Sequence, residues 1–156
     1  MLFRSISFVP GIRYQDVPFT HECYLRAGRC IRAHWLLNIY RRQRPGAATA
    51  SFDAKKAHDF CIAIGHTWQL RKMEGLDARC RRKLYQDVYT SFSSLVYATL
   101  YGIKDRRERL GVLRFLLAQA PGLSFCGSTK QRAESLLLRL MPALYLRVRE
   151  WHLRLK

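Results

Sequence analysis

A chain of 156 residues ordinarily makes one domain, and 49% apolar content is enough for a packed core, which excludes a disordered chain. Its 28 Lys and Arg against 11 Asp and Glu leave a formal charge of +17, so the fold repels itself unless something anionic is near. Phosphate-bearing partners are implied, and composition leaves nucleic acid, anionic lipid headgroups and a diphosphate-containing small molecule open.

From residue 1 to about 50 the punctuation is dense: Pro10-Gly11, Pro18, Gly28 and Pro45-Gly46 cut the chain into short elements. Thr20 is placed to cap a short helix through THECYLRAG, and Gly28 to end it in a left-handed C-cap. CIRAHWLLNIYRRQR, rich in β-branched and aromatic residues and closed by Pro45-Gly46, reads as one or two strands. From about 51 onward the pattern is helical. Ser51 or Asp53 caps a helix whose Ala57, Cys61, Ile64 and Trp68 fall on one face, the core face. A break at EGLD opens a second helix over about 77–101, a third runs over 105–119, and Ser128 caps a last one, which Pro142 should kink or restart. The fold class expected is mainly α with a small α/β N-terminal part, divided as residues 1–50 and a helical region 51–156.

Five cysteines, Cys23, Cys30, Cys61, Cys80 and Cys126, show no CxxC or paired metal-ligand spacing, so reduced and mostly buried thiols are expected. MLFRSISFVPG lacks the uncharged core of roughly seven residues or more and the small-residue site of a signal peptide, which points to a cytoplasmic location. No window approaches the roughly 18 uncharged apolar residues of a bilayer span; the longest candidate, SFSSLVYATLYGI, is too short and too polar. The chain is expected to lie on a membrane at most.

The tetrapeptide YQDV occurs twice, at 14–17's overlap as Tyr14-Gln15-Asp16-Val17 and again as Tyr85-Gln86-Asp87-Val88. The second copy lies inside a helical run, where Asp87 faces solvent or pairs with Lys83 at i−4. Asp16 instead falls between a turn and a helix start, where backbone N–H groups and the helix dipole favour an ionised carboxylate and where catalytic groups are commonly mounted. A carboxylate that only caps the helix is the alternative. His21, His34, His58, His66 and His152 have no i, i+4 pairing with Glu between and read as packing or surface residues.

Phe8, Pro10-Gly11, Gln15-Asp16, Phe19-Thr20, Ala27, Tyr40 and Arg42-Gln43-Arg44-Pro45-Gly46, in this order and spacing over residues 8–51, resemble the second half of the catalytic domain of bacterial family-2 glycosyltransferases that build surface polysaccharides. The resemblance implies the C-terminal portion of a GT-A-like nucleotide-sugar transferase fold followed by a helical appendage, and inverting transfer from a nucleotide-diphosphate sugar to a polysaccharide or lipid-linked acceptor. It makes Asp16 the general base and Gln15, standing where the family usually has Glu, a residue that orients the acceptor through its amide but relays no proton. Arg42 and Arg44, two apart in a strand-like segment, would point to one side and suit a diphosphate leaving group; solvated arginines on an edge strand are the other reading. Thr49 is the nearest hydroxyl where the family commonly has a Ser and this chain has Ala47.

The family also holds Mg²⁺ or Mn²⁺ on an Asp-x-Asp in an N-terminal nucleotide-binding sheet, and this sequence contains no Asp-x-Asp. No metal or cofactor is therefore expected in this chain. It reads as a truncated frame starting at an internal Met or as one piece of a split enzyme, inactive alone. A basic helical nucleic-acid-binding or interaction module is the alternative, but no helix-turn-helix, zinc-finger or RNP-type motif appears and the basic residues are spread over several helices, so no nucleic acid is expected. In the tail, Leu137, Leu140, Met141, Leu144, Val148, Trp151 and Leu155 recur at helical spacing opposite Arg139, Arg147, Arg149, Arg154 and Lys156. Such a stripe is either a core-facing helix face or an interfacial one, the latter placing the protein peripherally on the inner, anionic face of the cell membrane.

Overall fold

The computed structural model describes residues 5–31, 51–125 and 127–154, and its order of elements is six helices: α1 (Asp16–Arg26), α2 (Ala54–Gln69), α3 (Ala78–Gly102), α4 (Arg106–Gln119), α5 (Thr129–Leu140) and α6 (Pro142–Arg154), with a 3₁₀ turn, Leu70–Lys72, closing α2. The protein is mainly helical, and no strand occurs among the described residues. Of the stretch 30–44 expected to form strands, Cys30 and Ile31 lie in no regular element and 32–44 lie outside the described residues, as does the boundary placed near residue 50.

The helix starts from α2 onward follow from side-chain acceptors that meet exposed first-turn amides. Asp53 accepts from the Lys56 amide at 2.7 Å, Asp77 from Cys80 at 2.6 Å and Asp105 from Glu108 at 2.9 Å. Ser128 and Gln131 exchange side-chain and backbone hydrogen bonds in a capping box. The amide bonds hold the Asp53 and Asp77 carboxyls below the usual carboxylate range. Pro142 restarts the last helix after a break at Met141, because proline at a first helical position has no amide that needs a partner.

α1 departs from the expected form at both ends. It begins at Asp16, not after Thr20, which lies inside it; Pro18 falls in the first turn, where its missing N–H costs nothing. Gly28 does not form a left-handed cap: the chain leaves the helix in extended backbone at Ala27, whose amide still reaches the Cys23 carbonyl at 3.0 Å.

α2 is the hub, packed against α1, α3 and α4, while α4 also meets α6 and α5 pairs with α6 as an antiparallel hairpin. The expected face of α2 is the core: Ala57, Cys61, Ile64 and Trp68 are buried among Phe92, Leu95, Leu113 and Leu116. Gly65 permits the close approach of α4, since a Cβ there would sit 2.7 Å from the Gln119 carbonyl oxygen. The Trp68 indole donates to the Pro121 carbonyl at 3.0 Å, and the Arg71 guanidinium lies 4.1 Å from the ring centre.

Polar groups tie the outer helices to this core. Glu134 of α5 accepts from the hydroxyls of Tyr89 and Tyr145, each at 2.9 Å, and pairs with Arg149 at 3.6 Å. Burial is the leading cause that pushes both tyrosines upward. The cysteines depart from expectation. The four described thiols are free, but only Cys61 is buried; Cys23 and Cys80 are half-buried and Cys30 is exposed, because α1 and the first turns of α3 keep one side in solvent.

Candidate functional site

The segment before α1 is a turn set against α2. Gly11 takes a left-handed φ of 77°, as the Pro-Gly pair implied, and Tyr14 takes 62°, a conformation a side-chain-bearing residue rarely adopts. Two contacts with α2 hold it there. The Tyr14 ring stacks on Phe60 with centroids 4.6 Å apart, and the Arg13 amide donates to the Asp59 carboxylate at 3.3 Å. Asp59 is buried and was not singled out from the sequence; its partner lies 46 residues away, beyond any periodic signal.

The strained residue immediately precedes Gln15 and Asp16. The Tyr14 carbonyl accepts from the Val17 amide at 3.1 Å, and α1 starts at once with Asp16 in its first turn. Both Gln15 and Asp16 are exposed, and Gln15, as N-cap, makes no side-chain capping bond. Asp16 and Phe19, three apart, share a face of α1, and Phe19 stacks on Phe8 with centroids 4.1 Å apart. Beside this aromatic pair a cleft of about 530 Å³ opens between the N-terminal segment and the end of α2, lined by Phe8, Pro18, Glu22, Arg26, His66 and Lys72 among others. Phe19 lines this cleft and neither Gln15 nor Asp16 does, so the exposed carboxylate and amide stand one turn of α1 from it.

Arg42, Arg44 and Thr49, assigned to the diphosphate, lie outside the described residues, as do Tyr40, His34 and Cys126. The structure therefore brings Gln15 and Asp16 together and gives no position to the other three site residues.

The second YQDV behaves partly as expected. Asp87 pairs with Lys83 one turn earlier in α3, but its other oxygen also reaches His21 Nε2 of α1 at 3.5 Å. His21 Nδ1 in turn stands 2.7 Å from the Val17 carbonyl, which it meets as donor. This long-range pair was invisible to spacing rules. It stands on the wall of a groove of about 650 Å³ between α1 and α3, where Tyr24, Leu25, Cys80 and Leu84 supply apolar surface. The Cys80 thiol, hydrogen-bonded to the Asp77 carboxylate, is pushed upward and so is held as the thiol.

Among the described residues no group of three or more His, Cys, Asp or Glu could hold a metal ion, and no helix is long and apolar enough to cross a membrane. No protein-family model, no curated protein and no solved structure matches the chain.

Proposed function

We propose that this chain is the acceptor-side portion of an inverting family-2 glycosyltransferase, with Asp16 as the general base and Gln15 orienting the acceptor. The observation that carries this is the position of Asp16: an exposed carboxylate at the start of α1, directly after the left-handed Tyr14 and three residues before Phe19, which lines an open cleft. The order of residues from Phe8 to Gly46 supports the same assignment.

An acceptor hydroxyl is a poor nucleophile until its proton leaves. In the proposed step Asp16 takes that proton as the acceptor oxygen bonds to the anomeric carbon of the donor, while the bond from that carbon to the diphosphate oxygen breaks on the opposite side, so configuration inverts. A positioned base contributes about 10²–10⁴-fold to such a step. The Phe8–Phe19 pair offers the apolar edge against which a sugar ring can rest. The divalent metal of this enzyme family does not fit the donor groups described here, which include no cluster of three ligands. In the proposed enzyme the nucleotide diphosphate falls to sequence carrying Asp-x-Asp.

The test is to co-express or fuse the chain with an Asp-x-Asp-bearing nucleotide-binding half and measure sugar transfer. Asp16→Asn should lower kcat about 10²-fold or more, and Asp87→Asn should leave it near normal. Equal losses from both substitutions would remove Asp16 from the role of base.

A further inference from the structure

More than half of the large apolar side chains that are exposed among the described residues lie in one short stretch, residues 136–151: Leu136, Leu140, Met141, Leu144, Val148 and Trp151. On α6, Leu144, Val148 and Trp151 stand at i, i+4 and i+7 and so form a single stripe. The other side of the same helix is already in the core, with Tyr145 and Leu146 buried. The stripe is therefore surplus to folding, and it is bare: Trp151 is 63% exposed and Leu140, at the hairpin turn, 71%. A shallow groove of about 260 Å³ between α5 and α6 runs beside it, with Leu137 on one wall and Val148 and Trp151 on the other.

This corrects the expected layout of the tail. The basic residues are not opposite the stripe, because that side faces the core. Arg149 is half-buried in its pair with Glu134, whereas Arg139, Arg147 and Arg154 are exposed around the apolar row and have no ion-pair partner among the described residues. Leu155 and Lys156 lie outside the described residues.

We propose that this face of the α5–α6 hairpin docks on an anionic bilayer surface, with Leu144, Val148 and Trp151 entering the headgroup–acyl boundary and Arg139, Arg147 and Arg154 meeting lipid phosphates. Charge complementarity selects this occupant. A second copy of the chain would bring two surfaces of +17 together around the same arginine rim, which opposes a self-complementary dimer. An apolar row bordered by arginines, with a tryptophan in the row, is instead the composition that settles at the membrane interface: acyl chains take the aliphatic groups, and the guanidinium and indole N–H remain at headgroup level. The helices are too short to cross, so the contact is peripheral.

The test is co-sedimentation of the full chain with phosphatidylcholine vesicles and with vesicles that also contain phosphatidylglycerol. Binding only to the latter, weakened by added salt, is expected. Leu144→Gln with Val148→Gln changes no charge and touches exposed positions; it should lower partitioning about tenfold or more while circular dichroism stays unchanged. Arg147→Gln with Arg154→Gln should lower it about thirtyfold at low salt. Lipids brominated on the acyl chain should quench a fluorescence component that Trp151→Phe removes. The proposal is overturned if the Gln pair binds like the parent, which leaves diffuse charge as the whole cause. It is equally overturned by equal binding to both vesicle types, by no binding, or by self-association in vesicle-free solution that shields Trp151 from an aqueous quencher.

Discussion

Arg109 is the side chain on which three helices depend. It projects from α4, with 19% of its side chain exposed, and its Nε donates to the Ile103 carbonyl at 2.6 Å while Nη2 donates to the Leu100 carbonyl at 3.1 Å. Both carbonyls belong to the end of α3, where the last turn has no amides of its own to satisfy them. The remaining nitrogen, Nη1, reaches the Glu150 carboxylate of α6 at 3.0 Å. Arg109→Met keeps the apolar stem but strands two carbonyl acceptors and a half-buried carboxylate, whose other cation, Arg106, is 3.9 Å away and half-exposed. At about 1 kcal/mol for each lost carbonyl bond and about 1–2 kcal/mol for the charge pair, the loss should come to about 3–4 kcal/mol. Arg109→Lys should fall between, since one ammonium cannot span the end of α3 and Glu150 together. Urea unfolding followed by circular dichroism measures this as a lower midpoint at constant slope, and a cycle with Glu150→Gln isolates the pair. A loss below about 1 kcal/mol for Arg109→Met would refute the assignment of these three contacts as a stabilising unit.

Burial pushes the Cys61 thiol up to about 12 from an ordinary 9, with its S–H directed at the Val112 carbonyl at 3.7 Å. The raised value means that its neutral form stabilises the fold fully below pH 9, and that this contribution, up to about 4 kcal/mol, is lost as pH rises from 9 to 12. Stability-against-pH curves for the parent and Cys61→Ala should converge over that window, and parallel curves would contradict it. The chain on its own should bind nucleotide-diphosphate sugars poorly even with Mn²⁺, because the described residues bring no carboxylate cluster to a diphosphate. Calorimetry giving a low-micromolar dissociation constant would refute this.

The helical region was legible because its signals are local. Asp53, Asp77, Asp105 and Ser128 each announce a helix start within four residues, and the spacing of Ala57, Cys61, Ile64 and Trp68 identifies a face without knowledge of its partner. α1 was misplaced because Thr20 is a better capping residue by type than Gln15, whereas the true start is set by the left-handed turn at Tyr14, which another helix holds through Phe60 on the Tyr14 ring and Asp59 on the Arg13 amide. Tertiary contacts there outweighed propensity. In the tail, periodicity found the row of Leu144, Val148 and Trp151 but could not say which way it faced. A helix with apolar residues on two sides buries one of them, and α6 buries Tyr145 and Leu146, whose hydroxyl and side-chain bulk complete the Glu134 network and the core. The place of Asp16 between a turn and a helix start was legible; Asp59, which helps hold that turn, was not.

The two YQDV copies show how much of a motif's chemistry comes from its surroundings. In α3 the tetrapeptide is mid-helix: its amides are spent on intrahelical bonds, Val88 is core, and Asp87 is already bonded to Lys83 and paired with His21. That carboxylate has Lys83 and His21 to give up before it can accept a proton from anything else. At the head of α1 the same residues carry a left-handed tyrosine, a glutamine with no capping duty and an aspartate exposed at the helix start, with no ion-pair partner among the described residues. Strain at Tyr14 of order 1–3 kcal/mol is kept only because α2 holds the turn, and it fixes the direction in which Gln15 and Asp16 leave the backbone. Of the two identical tetrapeptides, only the first combines a preset direction with an unspent acceptor, which is what the proposed general base requires.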